Sequence, residues 1–246
     1  MSDTVPEDFA VYADERDAAR FTDWCRQRAE PDWTAAVEHP FTARLRDGTI
    51  EDAAVRRYLV QDYAFLDSLV GAIGHALGDA PSMAAKRRLA DFLGTLTDEE
   101  NDYFERSFDA LDVSEGERTD PDLTPTTRAF QDLLGRAARE GGYAETLAVL
   151  VPAEWIYREW AGRENAAPDR FYLAEWIALH DNPAFDETVA WLRRELDRAG
   201  AAAPPARQGR LARLFERTVE LEVAFFDAAM ADERPAAVTD GGDRQW

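Results

Sequence analysis

The sequence predicts an all-α protein folded as a single-domain helix bundle, and three observations carry that prediction. No segment sustains the period-2 alternation of a half-buried strand, and no βαβ spacing occurs. Apolar residues recur instead at helical spacing along most of the 246-residue chain. The Pro-rich connection from Gly200 to Pro205 leaves only one helix beyond it, so it does not divide domains.

Residues 1–13 show no strong period and read as a loose lead-in. The helical domain runs over 14–231, and 232–246, rich in Gly, Pro and Asp, reads as a disordered tail. Asp14 to Glu30 is polar and amphipathic, with Phe21 and Trp24 on one side. A helix restarts at Pro31 and bends at His39-Pro-Phe41, and Asp47-Gly48 is a turn. Thr49, with Asp52 three residues on, is the expected N-cap of a long helix from Glu51 to Leu77. Helices follow from Pro81 to Leu96 and over an acidic stretch carrying Tyr103, Phe104 and Phe108. Ser114 to Pro125 reads as a polar loop. Further helices span Thr126–Arg139, Tyr143–Glu164, Phe171–His180, Ala184–Ala199 and Gln208–Met230.

Composition bounds the function. At 46% hydrophobic residues and with seven tryptophans the chain can bury a sizeable core. No window reaches the roughly 18–20 apolar residues of a membrane span, and the acidic N-terminus is unlike a signal peptide, so a cytoplasmic protein is expected. A lone cysteine, Cys25, excludes an internal disulfide and a cysteine-rich zinc site, and it lies in a polar helix that suggests no reactivity. The net charge of −21 argues against nucleic acid and anionic membranes as partners, because phosphate contacts need clustered Lys and Arg. Lys86 is the only lysine among 28 basic residues. An acidic, lysine-poor chain fits a high-salt, halophilic solvent that screens self-repulsion. Acidic runs such as Thr97 to Asp102 are accordingly read as solvated faces.

Three helices interrupt apolar faces with acids. In the helix around Ala148–Trp160 an interior Pro152 predicts a kink, followed by Ala153, Glu154 and Tyr157. These residues can form a pocket wall, or a core helix with one exposed acid and a solvent-facing phenol. Tyr58, Asp62, Phe65 and Leu69 fall along one helix face, with Leu59, Leu66, Val70 and Ile73 in the adjacent row. Asp62 in such a helix must find a partner, for instance an arginine across the core, or change its pKa. Glu222 breaks the stripe of Leu214, Thr218, Leu221, Phe225 and Phe226. Several acids in apolar surroundings point to a polar cluster at the centre of the bundle.

Tyr58 to Tyr63 and Leu150 to Tyr157, in a helical chain opened by His39-Pro-Phe41, resemble the TenA / thiaminase II family over about Phe21 to Ala231. The resemblance implies a haem-oxygenase-like α fold, action on aminopyrimidines in thiamin salvage, and a homotetramer. It implies that Asp62 holds the amino and ring nitrogens of the pyrimidine, that Tyr157 stands beside the reacting centre, and that Glu222 is the acid/base. Phe65 takes the place of a pocket tyrosine, and His180 stands near another. Tyr58 and Trp155 complete the expected substrate-binding set, with Trp155 and Trp176 stacking on the ring.

Ala153 departs from the family pattern, since it stands where thiamin-cleaving members carry their nucleophilic cysteine. An alanine forms no covalent adduct, so the chain looks like the cysteine-less branch linked to deformylation or deamination of thiamin-derived pyrimidines. Carboxylate-activated water would then do the chemistry, with Glu222 or Glu154 as base. With His39, His75 and His180 as the only histidines and no Glu-to-His helical spacing, neither metal nor cofactor is expected. A di-iron oxidase or a histidine-rich cofactorless oxidase of the same fold, and a pyrimidine-binding protein without catalysis, are the competing readings.

Overall fold

The computed structural model describes residues 5–164, 166 and 168–231; the 232–246 tail lies outside the described residues. The described chain is helical, with no strand. In order, the helices are α1 (Phe9–Asp14), α2 (Phe21–Arg28), α3 (Asp32–Val37), α4 (Pro40–Arg46), α5 (Asp52–Asp79), α6 (Met83–Thr95) and α7 (Asn101–Ala110). They continue with α8 (Glu115–Thr119), α9 (Pro125–Arg136), α10 (Tyr143–Ala161), α11 (Phe171–His180), α12 (Pro183–Ala201) and α13 (Pro205–Met230). Two π-helical turns, Leu96–Glu100 and Ala137–Gly141, join α6 to α7 and lead from α9 towards α10.

α10 is the axis of the bundle. Its residues are apolar on every side from Leu147 to Val151, and nearly the whole helix is buried. A helix without a polar face has to be surrounded, and α10 packs chiefly against α12 and α13, with α5 on another side. Pro152 stands inside the helix, which continues to Ala161. Gly142, at φ 85°, starts α10 with a backbone turn that favours glycine. Three residues on, buried Glu145 accepts from Arg207 Nε at 3.0 Å and Nη2 at 2.7 Å, which ties the start of α10 to the start of α13.

Several local expectations are corrected. The lead-in is not wholly loose: α1 inserts Phe9 and Tyr12 into the core, where Phe9 packs edge-on against Phe21. The 114–125 loop contains α8, because Ser114 and Glu117 form a reciprocal capping box. Glu51, rather than Thr49, precedes α5, and it makes no side-chain cap. Asp52 is turned instead towards Arg170 and the Tyr172 hydroxyl, which join α5 to α11. Cys25, expected in a polar setting, is fully buried.

On α12, Gly200 lets the ring of Phe21 approach so closely that a Cβ built there would lie 2.3 Å from Cδ1. The Gly200 carbonyl accepts from the buried Gln208 amide, which fixes the turn between α12 and α13 against moving away. Gly200→Ala is expected to cost about 1–3 kcal/mol by overpacking, lowering Tm by roughly 2–4 °C per kcal/mol. Thermal unfolding checks it.

Candidate active site

Seven helices and a π turn converge on one cavity, which leaves about 730 Å³ of empty space with its open mouth included. α5 supplies Asp62, Phe65, Leu66 and Leu69, at i, i+3, i+4 and i+7 on one helix face. α10 supplies Ala153, Glu154 and Tyr157. Ala153 and Glu154 point about 100° apart around the helix, and the cavity wraps α10 far enough to take both. Glu222 and Phe225 come from α13, and Trp176, Leu179 and His180 from α11. Leu96 and Glu100 come from the first π turn.

Asp62 and Glu154 are each 8% exposed and Glu222 is 2% exposed. None of these three, nor Glu100, forms an ion pair with a described residue, and the lining contains neither lysine nor arginine. The expected alternative of an arginine opposite Asp62 is therefore not what the core provides. Burial without a counter-charge penalises ionisation. It raises Asp62 to about 7, against a smaller opposing effect of the Tyr58 hydroxyl. Burial, with the charge of Asp62 added, raises Glu154 to about 8. Glu222 and Glu100 are pushed well above the carboxylate range, first by burial and then by the field of Asp62 and Glu154.

The neutral polar groups are also oriented. Burial lowers His180 to about 4, so the ring is neutral. The Trp176 carbonyl can only accept, so His180 Nδ1, 2.9 Å away, carries the proton, and Nε2 is left as an acceptor. Tyr157 and Tyr58 share a hydroxyl–hydroxyl bond of 2.5 Å. Phe65 stacks at a tilt on Phe130, with ring centroids 4.6 Å apart. Among the described residues, no group of three or more His, Cys, Asp or Glu side chains is set to hold a metal ion.

A family model described as TENA/THI-4/PQQC matches residues 26–233. The chain belongs to this family. It is 27% identical over 209 residues to an aminopyrimidine aminohydrolase of Halalkalibacterium halodurans, covering 82% of this chain and 92% of the relative. An aminopyrimidine aminohydrolase of Bacillus subtilis is 25% identical over 172 residues, 69% of this chain and 72% of its own. Among solved structures, a TenA homologue from P. horikoshii OT3 superposes with a TM-score of 0.76 at 23% identity, covering 86% of this chain and 98% of that one. A TenA family transcription regulator from Silicibacter sp. TM1040 superposes at 0.78 and 23% identity, covering 87% and 98%. These superpositions bear on the fold alone: it is the helical, haem-oxygenase-like fold of TenA proteins.

Of the residues expected from sequence, Asp62, Phe65, Glu154, Tyr157, His180 and Glu222 line one cavity of this TenA-family chain. Two do not. Trp155 lies on the other side of α10, packed edge-on against Trp33 at 4.7 Å with the Arg193 guanidinium 3.5 Å above its ring. Its next-door position to Glu154 rotates it away from the cavity. Tyr58 is fully buried one turn before Asp62, behind the cavity lining, and its hydroxyl bonds to that of Tyr157. Glu100 was hidden in the acidic run read as a solvated face. Its sequence signal is the row Phe92, Leu96, Glu100, Phe104, spaced by four. In an α-helix such a row drifts by about 40° per step, and the i→i+5 turn there absorbs part of that drift. Ala153 faces the cavity with a methyl group, while burial pushes the thiol of Cys25 well up and holds it in the core.

The raised acids make stability pH-dependent. Asp62 ionises near its ordinary 3.8 in the unfolded chain but near 7 in the fold. The folded chain thus keeps a proton that the unfolded chain has released, so this stabilising contribution is full below the unfolded value and is lost as pH rises through the folded one. Asp62→Asn is neutral throughout. It is expected to flatten the fall in unfolding free energy from about pH 4 to about pH 7 and to exceed the wild type in stability at pH 8. Urea titrations at a series of pH values test this, and parallel curves would remove burial of Asp62 as the cause.

Proposed function

We propose that this chain is an enzyme of thiamin salvage that hydrolyses an exocyclic carbon–nitrogen bond of an aminopyrimidine, with carboxylate-activated water in place of a cysteine nucleophile. The observation that carries the reading is the group of buried carboxyls, without basic partners, in an aromatic-walled cavity whose family-cysteine position is Ala153. The names of the two aminohydrolase relatives supply the substrate class and reaction type.

An aminopyrimidine presents an amino N–H beside a ring nitrogen. A carboxylate accepts from the first, and a carboxylic acid can donate to the second. Asp62, with its pKa raised to about 7, is suited to either form and is assigned to this edge. Phe65 and Trp176 border the ring and can stack on its faces. Glu222 takes the proton of the attacking water when the negative charge shared by the cluster rests on it. Glu154, raised to about 8 and so largely protonated at neutral pH, is suited to protonate the departing nitrogen. Coupled acids of this kind share protons as a unit, so one cluster offers a base and an acid together. The Tyr157 hydroxyl, held by Tyr58, orients the reacting group, and the neutral His180 offers Nε2 as an acceptor.

The same reading takes the acidic, lysine-poor surface as adaptation to a salty cytoplasm and the assembly as a homotetramer, to be checked by light scattering and by activity between low and molar KCl. Thiamin, an N-formylaminomethyl-pyrimidine and an aminomethyl-pyrimidine, offered separately, should give a hydroxymethyl- or aminomethyl-pyrimidine product from the pyrimidines and none from thiamin. Glu222→Gln is expected to lower kcat by about 10²–10⁴-fold. Full turnover by Glu222→Gln would refute its role as base. Tight binding without turnover by the wild type would identify a binding protein.

A further inference from the structure

We propose that a second pocket, which shares Phe225 with the carboxyl-lined cavity, is a separate binding site for a small oxyanion carried on an apolar or aromatic body. Arg57 and Gln61 are its donors. The inference does not depend on the reaction proposed above.

The pocket lies between α5, α8, the connection from α8 to α9, and the end of α13. It leaves about 900 Å³ of empty space with its open mouth included. Phe225 borders both this pocket and the carboxyl-lined cavity. Tyr58 stands beside it, edge-on with ring centroids 5.6 Å apart, and its hydroxyl bonds to that of Tyr157. Phe225 and Tyr58 thus form the wall between the two spaces.

The donors are fixed in place. Arg57 and Gln61 are four residues apart on α5 and so project from one face of it. Each is anchored by a backbone carbonyl: Arg57 Nε donates to the Ala229 oxygen at 3.1 Å, and Gln61 Nε2 to the Asp122 oxygen at 3.1 Å. The Gln61 amide has one allowed orientation, because its Oε1 accepts from the Thr124 backbone N–H at 2.9 Å and from the Thr127 hydroxyl at 2.7 Å. The two terminal nitrogens of Arg57 and one N–H of Gln61 are left without an acceptor among the described residues. A guanidinium fork with an amide N–H beside it matches a carboxylate or a phosphate monoester.

The charge balance singles out Arg57. Arg56, in the same lining, is spent on Glu117, whose two oxygens lie 2.6 and 2.7 Å from its Nη2. Glu117 also accepts from the backbone and hydroxyl of Ser114. The exposed side chain of Asp122 meets Arg128 at 3.3 Å. Both acids of the lining therefore have cations other than Arg57, which forms no ion pair with a described residue. Phe225, Tyr58, Val60 and Ala228 supply an apolar floor, so the fitting ligand is an anion with an apolar body rather than a bare ion.

The test is calorimetry of the full chain in molar KCl, which screens the overall charge. Phenyl phosphate, benzoate and inorganic phosphate are titrated separately, with benzyl alcohol as the uncharged comparison. Phenyl phosphate or benzoate should bind at one site with a Kd of about 1 mM or tighter, and benzyl alcohol should not bind. The tighter of the two anions identifies a phosphate ester or a carboxylate as the head group. Inorganic phosphate should bind more weakly than phenyl phosphate, and equal affinities would overturn the apolar floor as part of the site. Arg57→Gln should weaken binding of the anion at least about tenfold. Ala228→Phe, which fills the apolar side and leaves Arg57 in place, should weaken it as much. Binding that survives either substitution in a folded protein would overturn the site, as would a wild type that binds neither organic anion. Should Arg57→Gln fail to fold for want of its bond to Ala229, Ala228→Phe decides alone.

Discussion

The structure depends on a tension at its centre: Asp62, Glu154, Glu222 and Glu100 line one cavity with no cation opposite them. Ionised together they would repel in a low-dielectric space, and protonated together they would leave polar groups short of partners. Neither extreme is a resting state for a core. Rising pKa values resolve the repulsion by keeping protons on the cluster near neutrality. The remaining deficit, too few donors, is what a nitrogen-rich ligand supplies.

Holding such a cluster together takes a scaffold that the acids themselves cannot stabilise. α10 provides it by being apolar on nearly all sides, so that its burial against α12, α13 and α5 outweighs the cost of placing Glu154 inside. The charge pairs that fix the scaffold sit away from the cavity. Glu145 with Arg207 joins α10 to α13, and Arg193 stacks on Trp155 at the outer face of α10. α10 thus has two chemically opposite sides: Glu145 paired with arginine outside the cavity, and Glu154 left without a cation within it. That division separates a charge that holds the bundle from one that lines its cavity.

Sequence periodicity read the first half of this arrangement well. Asp62 and Glu222 were visible because each interrupts an otherwise apolar helical stripe, a pattern that burial on one helix produces and that needs no knowledge of neighbours. The fold class and the main helices were visible for the same reason. What stayed hidden depended on geometry between or beyond regular turns. Trp155 neighbours Glu154 in sequence but faces Trp33, because one step along a helix changes the neighbour entirely. Tyr58 shares a face with Asp62, yet the cavity ends before it and its hydroxyl meets Tyr157 instead. Glu100 was concealed by its exposed neighbours, since a π turn changes the phase on which any α-helical reading relies. The short helices α1 and α8 were missed because one or two turns carry too little period to read.

The same residue type therefore does two kinds of work, and ionic strength separates them. With a net charge of −21, the surface would attract any cation at low salt. In molar salt the screening length shrinks to about 3 Å, and that long-range attraction disappears. A carboxyl walled in by Trp176, Phe225 and Tyr157 keeps its field, because counter-ions cannot enter between it and a bound ligand. Overall charge therefore carries little selectivity once salt screens it. Acids enclosed by apolar walls keep their field under the same conditions, and the cavity between α5, α10 and α13 holds such acids.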